Sequence, residues 1–378
     1  LGQPIDDTTG DGLSVQTSVV RASRLRVDGS RGTGVVVRRA GSDFTSADLV
    51  VRDTVGTQAV GTGAGISVVL GATAVFERTL LARNRAVAFL CGSSASMTTV
   101  ALSDFTVVDT KPGGEPTGGV GLMIVPGATV ELQRARLERN LMAGLSVQGT
   151  LHASDVTIRE TTAAKTNDSA AGLIVMSGAR AIIERLALEA NTSNGALVFD
   201  PGTHLELSDM AVRGTQPNPW DGFDGAGLIV ASGAELVGQR VALEDNHVVG
   251  LMAGEANTRV ELTDVAVIGT ALPPCFLKPG CDGLRPTGVL SVDDAGVRLS
   301  RFVVARNGGS GIELAGGGVV DLADGDISGH RVGANVMTPD FDLARIDQRV
   351  RYRDNERKLT AEVVPLPKLP TPARPTAP

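Results

Sequence analysis

Large rings are scarce in this chain: 378 residues hold nine phenylalanines, one tyrosine and one tryptophan. An ordinary globular core draws much of its buried area from aromatic side chains, so this interior must be built another way. Cysteine is nearly missing too, with three in all, which excludes a disulfide-dense secreted scaffold. A surplus of positive charge is lacking: the formal net charge is −7, against general nucleic-acid binding. No uninterrupted apolar run approaches the roughly 20 residues of a membrane-spanning helix. Glycine is abundant at 47 residues, but it does not recur at every third position, so a collagen triple helix is excluded.

What is present is aliphatic. Apolar residues make up 42% of the chain, almost all of them Val, Leu, Ala and Ile, and that content excludes a solvated coil. They recur in a template. Segments 121–140, 172–191 and 227–246 (GLMIVPGATVELQRARLERN, GLIVMSGARAIIERLALEAN and GLIVASGAELVGQRVALEDN) share Gly, an alternating stretch, a small Gly-Ala turn, a second such stretch, a charged corner, a third stretch, then Asn. Alternation over a few residues marks a half-buried strand. Three strands in each unit of about 20–30 residues, repeated along the chain, predict a solenoid.

Two kinds of coil alternate. One ends compactly at Asn84, Asn140, Asn191, Asn246 and Asn307, where Asn is expected to supply the left-handed conformation of a tight corner. The other ends in a longer loop, at 54–63, 110–119, 161–171, 215–225 and 270–286. The charged corner follows the same rhythm. Asp48, Arg78, Asp104, Arg134, Asp155, Arg185, Asp209, Arg240, Asp264, Arg301 and Asp324 occupy one equivalent position, and the sign alternates without exception. Stacked like charges repel, whereas alternation gives each carboxylate an Arg neighbour. The column reads as a structural charge ladder that fixes register, with no catalytic meaning.

The GLxV…GAxVxL…xxN coil resembles the secreted right-handed parallel β-helix superfamily, which includes pectate lyases, polygalacturonases, alginate epimerases and many bacterial surface proteins. The resemblance covers about residues 10–337. It implies an all-β fold, a right-handed parallel β-helix of about 12 three-strand coils with long loops on every second coil. Residues 1–337 would form the helix, its N-terminal end continuing from earlier coils. Segment 338–364 departs from the template and reads as a cap; residues 365–378 (PLPKLPTPARPTAP) read as an extended Pro-rich tail.

The resemblance does not extend to the catalytic sets of those enzymes. The paired carboxylates, Gly-His-Gly and Arg-x-Lys of the hydrolases are missing, and so is the Asp-Pro-His-Glu of the epimerases. The Asp-Asp pairs present are Asp6-Asp7 and Asp293-Asp294, the first at the ragged end and the second in a turn. His152, His204, His247 and His330 are scattered. Of these, His330 is the best acid–base candidate, set against the reading of a surface histidine. No metal spacing occurs, and a calcium site in Asp221-Gly-Phe-Asp224-Gly or Asp6-Asp7-Thr-Thr-Gly-Asp11-Gly is the weaker reading beside plain turn chemistry. No cofactor is expected.

The stacked loops offer the better prospect. Trp220, Asp221, Phe223 and Asp224 in one loop, with Phe276 and Lys278 in the next, form the expected binding patch: ring faces for sugar C–H groups and carboxylates for hydroxyls. The bland alternative is that the rings fold back onto the helix. Cys275 and Cys281 read as a disulfide closing loop 270–286 in an oxidising compartment, and Cys91 as a buried thiol. The whole reads as an extracellular or cell-surface bacterial module, structural or binding, whose partner is a glycan, an envelope component or a surface protein. A lyase, hydrolase or epimerase with a non-standard site is the alternative.

Overall fold

The computed structural model describes residues 10–56, 63–93, 96–113, 118–163, 170–218, 224–272, 285–367 and 369–370. Two parallel sheets make up the fold. Among the described residues the first holds fourteen strands, beginning with Leu13–Gln16 and ending with Arg357–Thr360. The second takes Val19–Ser23, then one strand from each coil to Gln348–Arg353, with Arg26–Asp28 paired alongside Asp43–Arg52. The fold is a right-handed parallel β-helix.

The three expected strands of each coil occupy two continuous ladders. The second and third stretches form one ten- or eleven-residue strand bent at the charged corner. In Asp43–Arg52, Phe44 and Ser46 point inward before the corner and Leu49 and Val51 after it. Asp48 between them adopts φ 58°. A left-handed residue turns the chain and resets the alternation without breaking the ladder. Among the described residues thirteen coils place a strand in each sheet and a final strand, Arg357–Thr360, pairs onto the first sheet alone, in keeping with the dozen or so coils expected. Segment 338–364 adds a strand to each sheet, introduced by a 3-10 turn at Leu343–Ile346 whose cap Asp342 accepts the Ala344 N–H.

The chain divides into two compact units, one of Leu1–Leu173 with Ala179–Ile183, the other of Ile174–Gly178 with Glu184–Pro372. The first contains a run of rings: Phe44, Phe76, Phe89 and Phe105 are fully buried, with successive centroids 5.5, 5.4 and 5.6 Å apart. Four of the scarce aromatics are thus gathered in one stretch of this unit's core, while the second unit buries Phe199 and Phe302. In the second unit a ring is accommodated differently, with Phe302 lying over Gly325, its register partner on the next strand. Cys91 is buried and free in the first sheet, and burial pushes its thiol up to about 12.

Candidate functional site

The charged corner is a stack of discrete pairs. Arg78 donates through two nitrogens to Asp48, Arg134 to Asp104, Arg240 to Asp209 and Arg301 to Asp264. In each case the Arg reaches back to the preceding coil. Arg349 continues the series by pairing with Asp324, a rung the sequence template did not include. Asp155 and Arg185 stand at the same corner, with φ 57° and 55°. These hydrogen bonds hold Asp48, Asp104, Asp209, Asp264 and Asp324 below the ordinary carboxylate range. Bidentate guanidinium contacts leave these carboxylates ionised and occupied. A second left-handed corner, unread in the sequence, places Arg83 on Asp53 and Arg139 on Asp109.

The asparagines do a different job from the one expected. The left-handed residue at that turn is the one before each of them: Arg83, Arg139, Ala190, Asp245 and Arg306. The asparagines themselves are buried. Asn246 accepts the Thr215 N–H at 3.1 Å and donates to the Val212 carbonyl; Asn307 accepts the Thr270 N–H at 2.9 Å and donates to the Val267 carbonyl. Asn84 does the same for Thr54 and Val51. An inward column therefore alternates Thr with Asn, the amide supplying the buried backbone groups of the coil before it.

His330 takes a Thr place in this column. Its Nδ1–H donates to Asn355 Oδ1 at 3.0 Å and its Nε2 accepts from Asn307 at 3.2 Å. It is buried, and burial lowers its basicity. Neither of the two roles weighed for it holds, since it is not on the surface and both ring nitrogens are engaged in the core. His152 is exposed and His204 half-buried, and they face Glu131 and Glu235 on adjacent strands. His247 contacts the Thr215 carbonyl.

Of the expected binding patch, Trp220, Asp221, Phe223, Phe276 and Lys278 lie outside the described residues, as do Cys275, Cys281 and the first carboxylates of both calcium readings, Asp6, Asp7 and Asp221. Asp224 is described at φ 66°, leading into Gly225, whose N–H bonds the Ser193 carbonyl. Among the described residues no group of three or more His, Cys, Asp and Glu is placed to hold a metal ion.

Where loop 270–286 re-enters the first sheet, a polar cluster was missed in the sequence. Leu290, Glu313, Asn335 and Thr360 stand in register on adjacent strands. Their neighbours Val289, Ile312 and Ala334 face the core, so these residues project from the opposite face. Even so, Glu313 is only 2% exposed. Thr287 Oγ1 donates to it at 2.8 Å. Burial raises its carboxyl above the ordinary range, a shift the Thr287 hydrogen bond and the charge of Arg285 partly oppose. Arg285, next to last in the loop, bonds Glu362 at 3.0 Å. Beside them lies a cavity of about 410 Å³ bordered by Arg285, Arg331 and Val364. Arg331 is exposed and pairs with no carboxylate among the described residues. The Glu313 carboxyl, shifted by burial toward its protonated form and lying near Arg285, can donate a hydrogen bond or a proton, while the guanidinium groups bordering the cavity can take an anion. The sequence signal was a lone Glu in the column Leu197, Ile229, Met252, Leu290, all otherwise apolar.

No family model matches the chain, and no curated protein matches it in sequence. Solved structures do. The periplasmic alginate epimerase AlgG matches at 10% identity and TM-score 0.41, over 92% of this chain and 78% of its own. The Azotobacter vinelandii mannuronan C-5 epimerase AlgE4 A-module matches at 12% and 0.41, over 88% and 89%. Pectate lyase Pel9A matches at 9% and 0.39, over 91% and 79%. These likenesses concern the fold alone. Among the described residues no helix is long and apolar enough to cross a membrane.

Proposed function

We propose that this chain is an extracytoplasmic binding module that holds an acidic glycan or envelope component at its loop-bearing edge. The observation that carries this reading is the cluster where loop 270–286 joins the first sheet: Arg285 and Arg331 border one cavity, with the buried Glu313 alongside Arg285. Two guanidinium groups on an open cavity suit carboxylates or sulfates. The loop that leads to them carries Phe276 and Lys278, and the preceding long loop carries Trp220, Asp221, Phe223 and Asp224. Glycan arrays and isolated envelope fractions test it, using wild type, Arg285→Ala and Trp220→Ala. Binding that is lost in Arg285→Ala supports the reading; binding indifferent to both substitutions, or none at all, overturns it.

Glu313 favours a second reading, an enzyme with an unfamiliar site. A carboxyl whose burial favours its protonated form is suited to general acid catalysis. Turnover of a uronate polymer that is lost in Glu313→Gln, with binding retained, would replace the first reading by this one.

A further inference from the structure

The outward face of the first sheet is buried, and in the second unit the structure shows what lies on it. After the strand Arg357–Thr360 the chain leaves the sheet, and residues 361–367 and 369–370 form no strand. Asn335 grips this segment at one residue. Its Oδ1 accepts the Glu362 N–H at 3.0 Å and its Nδ2 donates to the Glu362 carbonyl at 3.0 Å. The Glu362 carboxylate bridges Arg285 and Arg357. Farther along, Leu369 lies over Gly254, where an added Cβ would stand 2.7 Å from its Cδ1. Val364 between them is buried.

The distances fit a chain crossing the strands. Met252, Leu290, Glu313 and Asn335 are in register on four adjacent strands, which spans about 14 Å at the usual strand spacing. Seven residues from Glu362 to Leu369 reach about 22 Å in a polyproline conformation, enough to cross and shift along the strands to Gly254. Pro365, Pro367 and Pro370 favour that extended form and donate no backbone hydrogen bond. One residue is thus read by a two-point amide clamp and a guanidinium, and the rest is held by side-chain packing, as peptide-recognition grooves hold proline-rich chains.

We propose that the outward face of the first sheet, from Asn335 to Gly254, is a groove for an extended proline-rich peptide with a glutamate at the clamp. Residues 361–367 and 369–370 are its resident, displaceable occupant. The groove adjoins the cavity of the glycan reading, which Val363, Val364 and Pro365 of the segment line and with which it shares Arg285; the two readings are separated by their assays.

The test uses the full-length chain and a labelled synthetic peptide of residues 361–370, read by fluorescence anisotropy, with thermal melts to check folding and hydrogen exchange to follow the segment. In Glu362→Gln the internal competitor loses its ion pairs, so the peptide should bind about tenfold tighter than to wild type. A peptide with glutamine at the clamp position should bind about tenfold more weakly than the parent peptide. Equal affinity of both proteins, or of both peptides, overturns the proposal. So does a folded variant that binds no peptide, whether exchange shows its segment released or still held, and so does displacement of the segment by polygalacturonate but not by peptide.

Discussion

Replacing Asn307 with Ala tests the idea that the inward amides, rather than the charged corners, hold the coils together. Asn307 is fully buried and serves three partners: the Thr270 N–H, the Val267 carbonyl and His330 Nε2. Leaving a buried N–H without a partner costs about 1–3 kcal/mol, and each weakened acceptor adds on the order of 1 kcal/mol. The void left by three heavy atoms adds roughly 1 kcal/mol. The expected loss is therefore about 4–6 kcal/mol, a large share of the stability of a typical protein. Urea unfolding of the full-length chain, followed by far-ultraviolet circular dichroism, measures it. Arg301→Ala on the exposed ladder is the control and should cost clearly less, its effect fading further in high salt. A loss for Asn307→Ala below about 1 kcal/mol, or one no greater than that of Arg301→Ala, would refute the reasoning.

Other outcomes follow from the same features. Burial lowers the His330 pKa in the fold, so the unfolded chain takes up its proton first. Stability from this group is complete above the unfolded value near 6.5 and falls as pH drops below it, by up to about 1.4 kcal/mol per pH unit. His330→Thr, which restores the residue type of the column, should flatten that part of an unfolding titration. Arg134 adopts φ 52°, a conformation glycine enters freely; Arg134→Gly should therefore melt higher than Arg134→Ala although both lose the pair with Asp104. With its thiol pushed up to about 12 and no exposure, Cys91 should resist iodoacetamide at neutral pH in the native chain and react in urea. Equal labelling in both conditions would mean that the first sheet opens readily.

The coil, its two-fold alternation and the exposed ladder were legible because they rest on periodic, surface-facing residues. Arg349 escaped because its coil lacks the Gly-Ala turn by which the other coils align. The corner at Asp53, Arg83, Asp109 and Arg139 escaped because later coils fill it with Ala190, Gly214, Asp245 and Gly269, which breaks the charge rhythm. The asparagines were found but misread: Asn tolerates a left-handed turn and also satisfies buried backbone groups, and spacing alone does not separate the two. Glu313 was passed over for a third reason. An acidic residue in an alternating strand reads as solvent-facing, whereas that face is buried along the sheet, and the returning segment, remote in sequence, lies against it at Asn335.

The alternation of Asp with Arg and of Thr with Asn has a consequence for how such a chain changes length. Suppose the coil bearing Arg240 and Asn246 were excised. Asp209 would then stack on Asp264, and Thr215 on Thr270, with no guanidinium and no amide between them. Removing two consecutive coils restores both sequences of contacts. The heritable module is therefore a doublet, and insertions or deletions obey a parity rule: homologues of this chain should differ by even numbers of coils, with odd differences confined to the ends, where a rung has one neighbour.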